Sequence, residues 1–123
     1  MKSLFYSLVL SILLTAGTAF SADTVTPEDA INYIGKQATV CGKVASTKFS
    51  TRSRRQPTFI NLNKPYPNQI FTALIWGADR SNFPSAPENY YSNKAICVSG
   101  IIELYRGKPE IIVKSPNQIM VQK

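Results

Sequence analysis

The 123-residue chain contains no histidine, two cysteines, one tryptophan and only seven acidic residues. Without imidazole there is no histidine-based zinc site, no Ser-His-Asp triad and no Cys-His nucleophile pair. Two cysteines do not make a four-thiolate metal centre. Metal-dependent phosphodiester cleavage needs clustered carboxylates. The acids are scattered, and residues 30–78 hold none of them. Only folding would bring Asp79, Glu103 and Glu110 together. These absences argue for a binding protein rather than an enzyme, with no metal and no cofactor. Hydrophobic residues make up 44% of the chain and charged ones 17%, which is a globular composition, and the length allows one domain.

The chain also lacks an apolar run long enough to span a bilayer. Leu4–Leu14, broken only by Ser7 and Ser11, is about half of the roughly 20 residues required. Lys2 precedes it, and Ala16, Gly17, Thr18, Ala19, Ser21 and Ala22 follow. This is the pattern of a secretory signal peptide. The Ala19-Phe20-Ser21 site places cleavage after Ser21, with Ala19 and Ala22 as neighbouring alternatives and an uncleaved anchor as the competing reading. The first cysteine is Cys41, which argues against lipid attachment at the mature N-terminus. Residues 1–21 are therefore expected to be a leader and 22–123 a single exported domain, periplasmic or secreted, with no stable membrane insertion after cleavage. The mature chain keeps 13 basic residues and a net charge of +6.

Thr26–Gly35 carries helix signals at both ends. Thr26 is a candidate N-cap, Pro27 sits at the first position, Asp29 takes the capping-box place and Gly35 the stop. Ala30, Ile31 and Ile34 form a narrow apolar stripe that must dock on something. Five strands follow by their period of two: residues 37–46, 58–62, 70–76, 95–105 and 110–114. The segment 46–57 is polar and is expected to be a loop or flaring hairpin. Pro65 and Pro67 demand a turn. Residues 77–94 are irregular, with a helical turn near Glu88–Tyr91. Arg106-Gly107-Lys108-Pro109 is a tight turn, and Ile119 and Val121 close the chain. Five short strands of this kind suggest a closed barrel, because an open sheet of this size leaves two edges and one face bare.

In this exported setting two cysteines suggest one disulfide, the alternative being two separate small apolar side chains. Cys41 precedes Gly42 by one residue, and Cys97 precedes Gly100 by three. If both glycines face one side of their strands, both cysteines face the other.

Ile34-Gly35-Lys36-x-Ala38-Thr39-Val40-Cys41-Gly42-x-Val44 resembles the first strand of an OB-fold nucleic-acid-binding domain. Cys97-Val98-Ser99-Gly100-Ile101 and Tyr105-Arg106-Gly107-Lys108-Pro109-Glu110-Ile111-x-Val113 resemble its fourth and fifth strands. Pro57-Thr58-Phe59-x-Asn61-Leu62-x-Lys64-Pro65-Tyr66-Pro67 and Ile75-Trp76-Gly77-x-Asp79-Arg80 are similar to segments of small exported bacterial OB-fold proteins, mostly described only as DNA-binding or uncharacterised. The resemblance spans most of residues 30–119. It implies an all-β fold: a five-stranded Greek-key β-barrel with a short N-terminal helix and an irregular, partly helical connection between the third and fourth strands. It also implies that the first and fourth strands are neighbours, which sets Cys41 and Cys97 on adjacent strands.

The positive charge is concentrated. Residues 30–78 carry Lys36, Lys43, Lys48, Arg52, Arg54, Arg55 and Lys64 with no acid, whereas the rest of the mature chain is net −1. Four of these cations fall within Lys48–Arg55. The resemblance implies that this loop and the one holding Arg106 and Lys108 flank a binding face. Tyr66 and Tyr105, beside turns, are candidates for stacking on bases. Phe59, Phe71 and Trp76 are expected in the barrel core, and Tyr90 and Tyr91 under the connection between the third and fourth strands. Asp79 and Arg80 form a local ion pair or a turn cap. Cations beside aromatic faces suit single-stranded DNA or RNA. The candidate nucleic-acid-binding set is therefore Lys48, Arg52, Arg54, Arg55, Lys64, Tyr66, Tyr105, Arg106 and Lys108. The alternatives are an interaction module for an anionic envelope glycan, lipid head group or acidic protein, and a basic loop that is only a solvated surface.

Overall fold

The computed structural model describes residues 23–123, so the expected leader, residues 1–21, and its expected cleavage site lie outside the described residues. Seven strands form: β1 (Asp23–Val25), β2 (Gln37–Phe49), β3 (Thr58–Leu62), β4 (Thr72–Ile75), β5 (Ala95–Tyr105), β6 (Lys108–Ile112) and β7 (Ile119–Val121). Their order is β1-β2-β3-β4-β6-β5-β7, and a further β2–β5 pairing closes β2, β3, β4, β6 and β5 into a ring. The fold is thus all-β and barrel-like, as expected. β1 and β7 extend the ring beyond the five strands foreseen. A short α-helix, α1 (Pro87–Tyr90), lies in the β4–β5 connection where a helical turn was expected.

The alternation of apolar residues explains the ring's interior. Ala38, Val40 and Val44 of β2, Ile60 and Leu62 of β3, Ala73 and Ile75 of β4, Ile96, Val98 and Ile102 of β5 and Ile111 of β6 are buried around Phe71. Gly100 sits where a methyl would come within 2.6 Å of Ile111 Cγ2, so the core leaves no room for a larger residue. With the glycines on the inward parity, Cys41 and Cys97 point outward. They occupy directly opposed positions of β2 and β5 and form a disulfide. Two residues along, on the same face, the Thr39 and Ser99 hydroxyls share a hydrogen bond of 2.8 Å across the same pair of strands.

Three expectations change. First, the segment after Thr26 is not an α-helix. The Thr26 hydroxyl does accept from the Asp29 N–H, at 3.2 Å, but only one 3₁₀ turn follows, Ala30–Tyr33. Its three-residue period puts Ile31 and Ile34 together on the outside, 46% and 37% exposed, while Ala30 is buried. The segment docks through Ala30 and Tyr33, which pack on the core, and through its backbone: Gly35 N–H donates to Ile102 O, and Ile102 N–H to Lys36 O. Second, β2 continues to Phe49, three residues past the expected end. Ser46–Phe49 pairs with Thr58–Asn61 after an irregularity between Val44 and Ser46. Lys48 is therefore a strand residue and not part of the loop. Third, the final hairpin is tighter than foreseen, and β6 begins at Lys108. Tyr105 pairs directly with Lys108, and the two turn residues Arg106 and Gly107 have φ of 49° and 77°. Positive φ at both central positions is the type I′ signature that matches strand twist.

Candidate nucleic-acid interface

The outward-facing residues of β3, β4 and β6 build the floor of a groove of about 650 Å³. Since Ile60 and Leu62 point inward, the pleat turns Phe59 and Asn61 outward. Phe59 faces Leu74 across the β3–β4 pair, and Asn61 faces Thr72. β6 adds Glu110 beside Thr72. A hydrogen-bonded row crosses this floor. The Thr72 hydroxyl donates to Asn61 Oδ1 at 2.7 Å, and Asn61 Nδ2 donates to the Ser46 hydroxyl at 3.0 Å. The same hydroxyl accepts from the Tyr66 backbone N–H at 3.1 Å, tethering the β3–β4 loop to β2.

Three connections supply the walls. The β2–β3 loop brings Arg54, the β3–β4 loop brings Tyr66 and Gln69, and the β5–β6 turn brings Tyr105 and Arg106 with Lys108 behind them. Tyr66 and Tyr105 are 73% and 55% exposed, so their ring faces are open to a ligand. Trp76, at the end of β4, also lines the groove, and the Arg55 guanidinium lies 4.2 Å from its ring centre. Arg106 lies 5.2 Å from the centre of the Tyr105 ring. The Lys108 ammonium reaches Pro67 O at 3.4 Å, linking the final hairpin to the β3–β4 loop.

The nine residues singled out from sequence therefore separate. Arg54, Tyr66, Tyr105, Arg106 and Lys108 line one groove, and Arg55 stands against its tryptophan. Lys48, Arg52 and Lys64 are exposed and do not line it. Lys48 is opposite Phe59 in the β2–β3 register, and Lys64 contributes to the field around Glu28. Phe59 and Trp76, expected in the core, line the groove instead. Of the three aromatics assigned to the core, only Phe71 is there. Strand parity carried the signal for Phe59, because its neighbours Thr58 and Ile60 both point inward. Tyr91 is buried under the β4–β5 connection, whereas Tyr90 is exposed and meets it edge to face at 4.9 Å.

The charges near the site fall into two kinds. Arg80 does not pair with Asp79; its guanidinium binds Glu88 at 2.7 and 3.2 Å and donates to the Thr58 hydroxyl at 2.5 Å. It also covers the Phe49 ring at 3.5 Å, so its charge is spent inside the fold. The Arg80 hydrogen bond holds the Glu88 carboxyl below the usual glutamate range. Glu110 is the reverse case. Burial first, and then the Glu103 carboxylate opposite it on β5, push its pKa up. Two of the three acids that only folding would unite are thus a cross-strand pair. Among the described residues no group of three histidine, cysteine, aspartate or glutamate side chains comes together.

No protein-family model matches the chain, and no curated relative does. Solved structures do. Asparaginyl-tRNA synthetase from Pyrococcus horikoshii matches over 80% of this chain and 23% of its own, with TM-score 0.53 and 15% identity. Aspartyl tRNA synthetase from Entamoeba histolytica matches over 84% of this chain and 22% of its own, with TM-score 0.50 and 17% identity. The chain thus spans less than a quarter of the length of either. At this identity the likeness is one of fold, and it agrees with an OB-fold barrel.

Proposed function

We propose that this chain is a non-catalytic binding protein for single-stranded nucleic acid, held in the groove over β3, β4 and β6. The observation that carries the reading is the lining itself. Phe59, Trp76, Tyr66 and Tyr105 share one concave surface with Arg54, Arg106 and Lys108. Aromatic faces stack on bases for roughly 1–3 kcal/mol each, and guanidinium and ammonium groups track the phosphates. A solvated basic surface has no need of four aromatic side chains set among its cations. The lack of histidine and the dispersion of the acids support binding rather than catalysis. The Cys41–Cys97 bridge and the leader-like first residues support a place of action outside a reducing compartment.

The test is a titration of the mature domain with oligothymidylate, oligoadenylate RNA, duplex DNA and an acidic polysaccharide, followed by tryptophan fluorescence and anisotropy. Single strands are expected to bind and to quench Trp76. Polysaccharide binding of equal strength, without quenching, would move the assignment to an anionic glycan.

A further inference from the structure

The groove floor holds a carboxylate where a polyanion-binding surface is expected to exclude one. Glu110 lines the groove between β4 and the β5–β6 turn, half-buried, with a second carboxylate facing it across the strands. No ion pair and no side-chain hydrogen bond to Glu110 occurs among the described residues, although Arg54, Arg106 and Lys108 line the same groove. For phosphate binding alone such a residue is a handicap, because it subtracts charge from the cations around it. A half-buried acceptor without partners is instead a site for hydrogen-bond donors.

The neighbouring polar groups share this character. The Thr72 hydroxyl already gives its proton to Asn61, so toward the groove it offers only lone pairs. Gln69, also in the lining, has a buried Oε1 with no hydrogen-bond partner among the described residues. Glu110 and Thr72 thus make the floor rich in acceptors, while the cationic donors stand on the walls. A base stacked on Tyr66 or Tyr105, on the walls, presents its edge to that floor. Thymine and uracil offer one N–H on their pairing edge, and adenine and cytosine one amino group. Guanine alone offers two adjacent N–H bonds, from N1 and N2, side by side and parallel. They match the two oxygens of one carboxylate, as a guanidinium does.

We propose that Glu110, in the groove that Gln69 also lines, forms a base-reading subsite that selects guanine from the single strand held there. The inference rests on the nucleic-acid reading above, and the experiment separates the two. The probes are short oligothymidylates in which one central nucleotide is deoxythymidine, deoxyadenosine, deoxycytidine, deoxyguanosine or deoxyinosine. Inosine keeps N1–H and O6 but lacks the amino group. A single guanine is expected to tighten binding at least about ten-fold over thymine, within the discrimination that one bidentate base contact supplies. Inosine is expected to fall between them. In Glu110→Gln, one acceptor oxygen becomes a donor amide. Affinity for the all-thymidine strand should rise as a negative charge leaves the groove, and the guanine preference should collapse. Gln69→Leu should reduce that preference in part. Circular dichroism checks that each variant folds. Equal affinities for all five strands would overturn the subsite while leaving single-strand binding intact, as would a guanine preference that survives in Glu110→Gln. Failure of every strand to bind would overturn both readings.

Discussion

Neutralising two walls of the groove tests whether its cations meet phosphates. Arg54 comes from the β2–β3 loop and Arg106 from the β5–β6 turn, and both line the groove with Lys108. Arg54→Gln with Arg106→Gln removes two charges while keeping unbranched side chains, which matters at Arg106 because its φ is 49°. If each of the three cations meets one phosphate, log affinity falls with log salt at a slope of about −2 for a single strand, and at about −0.7 when only Lys108 remains. Between 50 and 200 mM salt the wild type should lose ~18-fold in affinity and the double variant ~3-fold. Anisotropy of a labelled oligothymidylate over four salt concentrations measures both slopes. Every single-stranded sequence should weaken alike, since phosphate contacts carry no base information. Parallel lines for the two proteins would refute the reasoning and take both loops out of the interface. Arg52→Gln serves as the comparison: Arg52 is exposed and outside the groove, so it should change the slope far less.

Replacing Trp76 or Tyr66 by Ala should cost roughly 1–3 kcal/mol of binding with little change in salt slope, as expected of a stacked base; isothermal titration at two salt concentrations separates the two effects. Reducing the Cys41–Cys97 bridge, which closes a separation of 56 residues, should lower stability by up to about 4 kcal/mol, read from urea midpoints with and without reductant. Arg80→Met should cost about 1.5–3 kcal/mol by stranding Glu88. Because the Glu88 pKa is lowered in the fold, its stabilisation is present above the ordinary glutamate pKa and lost as pH falls through the folded value. The variant should therefore lose that part of the wild type's acid sensitivity in thermal melts from pH 6 to pH 2. Glu110 has the opposite sign: its raised pKa means a contribution present at acid pH and lost as pH rises through the folded value. Glu110→Gln should accordingly stabilise by about 0.5 kcal/mol at pH 7, the scale of a like-charged cross-strand pair, and by less near pH 4.

The strands were legible where one face alternates without interruption. Thr58–Leu62 and Ala95–Tyr105 fall at their expected residues, and the parity of the glycines and cysteines is compatible with the bridge that forms. The Arg106-Gly107 turn was legible for the same local reason. The end of β2 was not, because Ser46, Thr47 and Lys48 carry no apolar rhythm and are held in the strand by pairing with β3. β1 is three residues long, too short to show a period. At the site, the residue types were readable, and the grouping of the two basic loops on one face came only from the resemblance. Arg54 and Arg106 are far apart along the chain, and only closure of the ring sets them on one groove. Phe59 and Trp76 were drawn to the core by their size, whereas the pleat of β3 and the end of β4 turn them to the surface. Glu110 falls outside the acid-free stretch, so charge counting separated it from Arg54, which shares its groove.

The pairing of β2 with β5 also bears on how the chain reaches its shape. Gln37–Lys43 must find Ala95–Ile101 across more than fifty intervening residues, whereas β2–β3, β3–β4 and β5–β6 join strands adjacent in sequence. Contacts of such separation come with a large loss of chain entropy before any packing offsets it, and they slow folding. The bridge sits in the middle of this seam, at the register Cys41↔Cys97. An oxidised chain therefore starts its search with the most distant strand pairing already seeded, and the main non-local pairing left to find is β4 with β6, at Thr72↔Glu110. A reduced chain has to close the same seam by diffusion. Oxidation of the two cysteines thus acts on the speed of assembly as well as on the endurance of the finished ring.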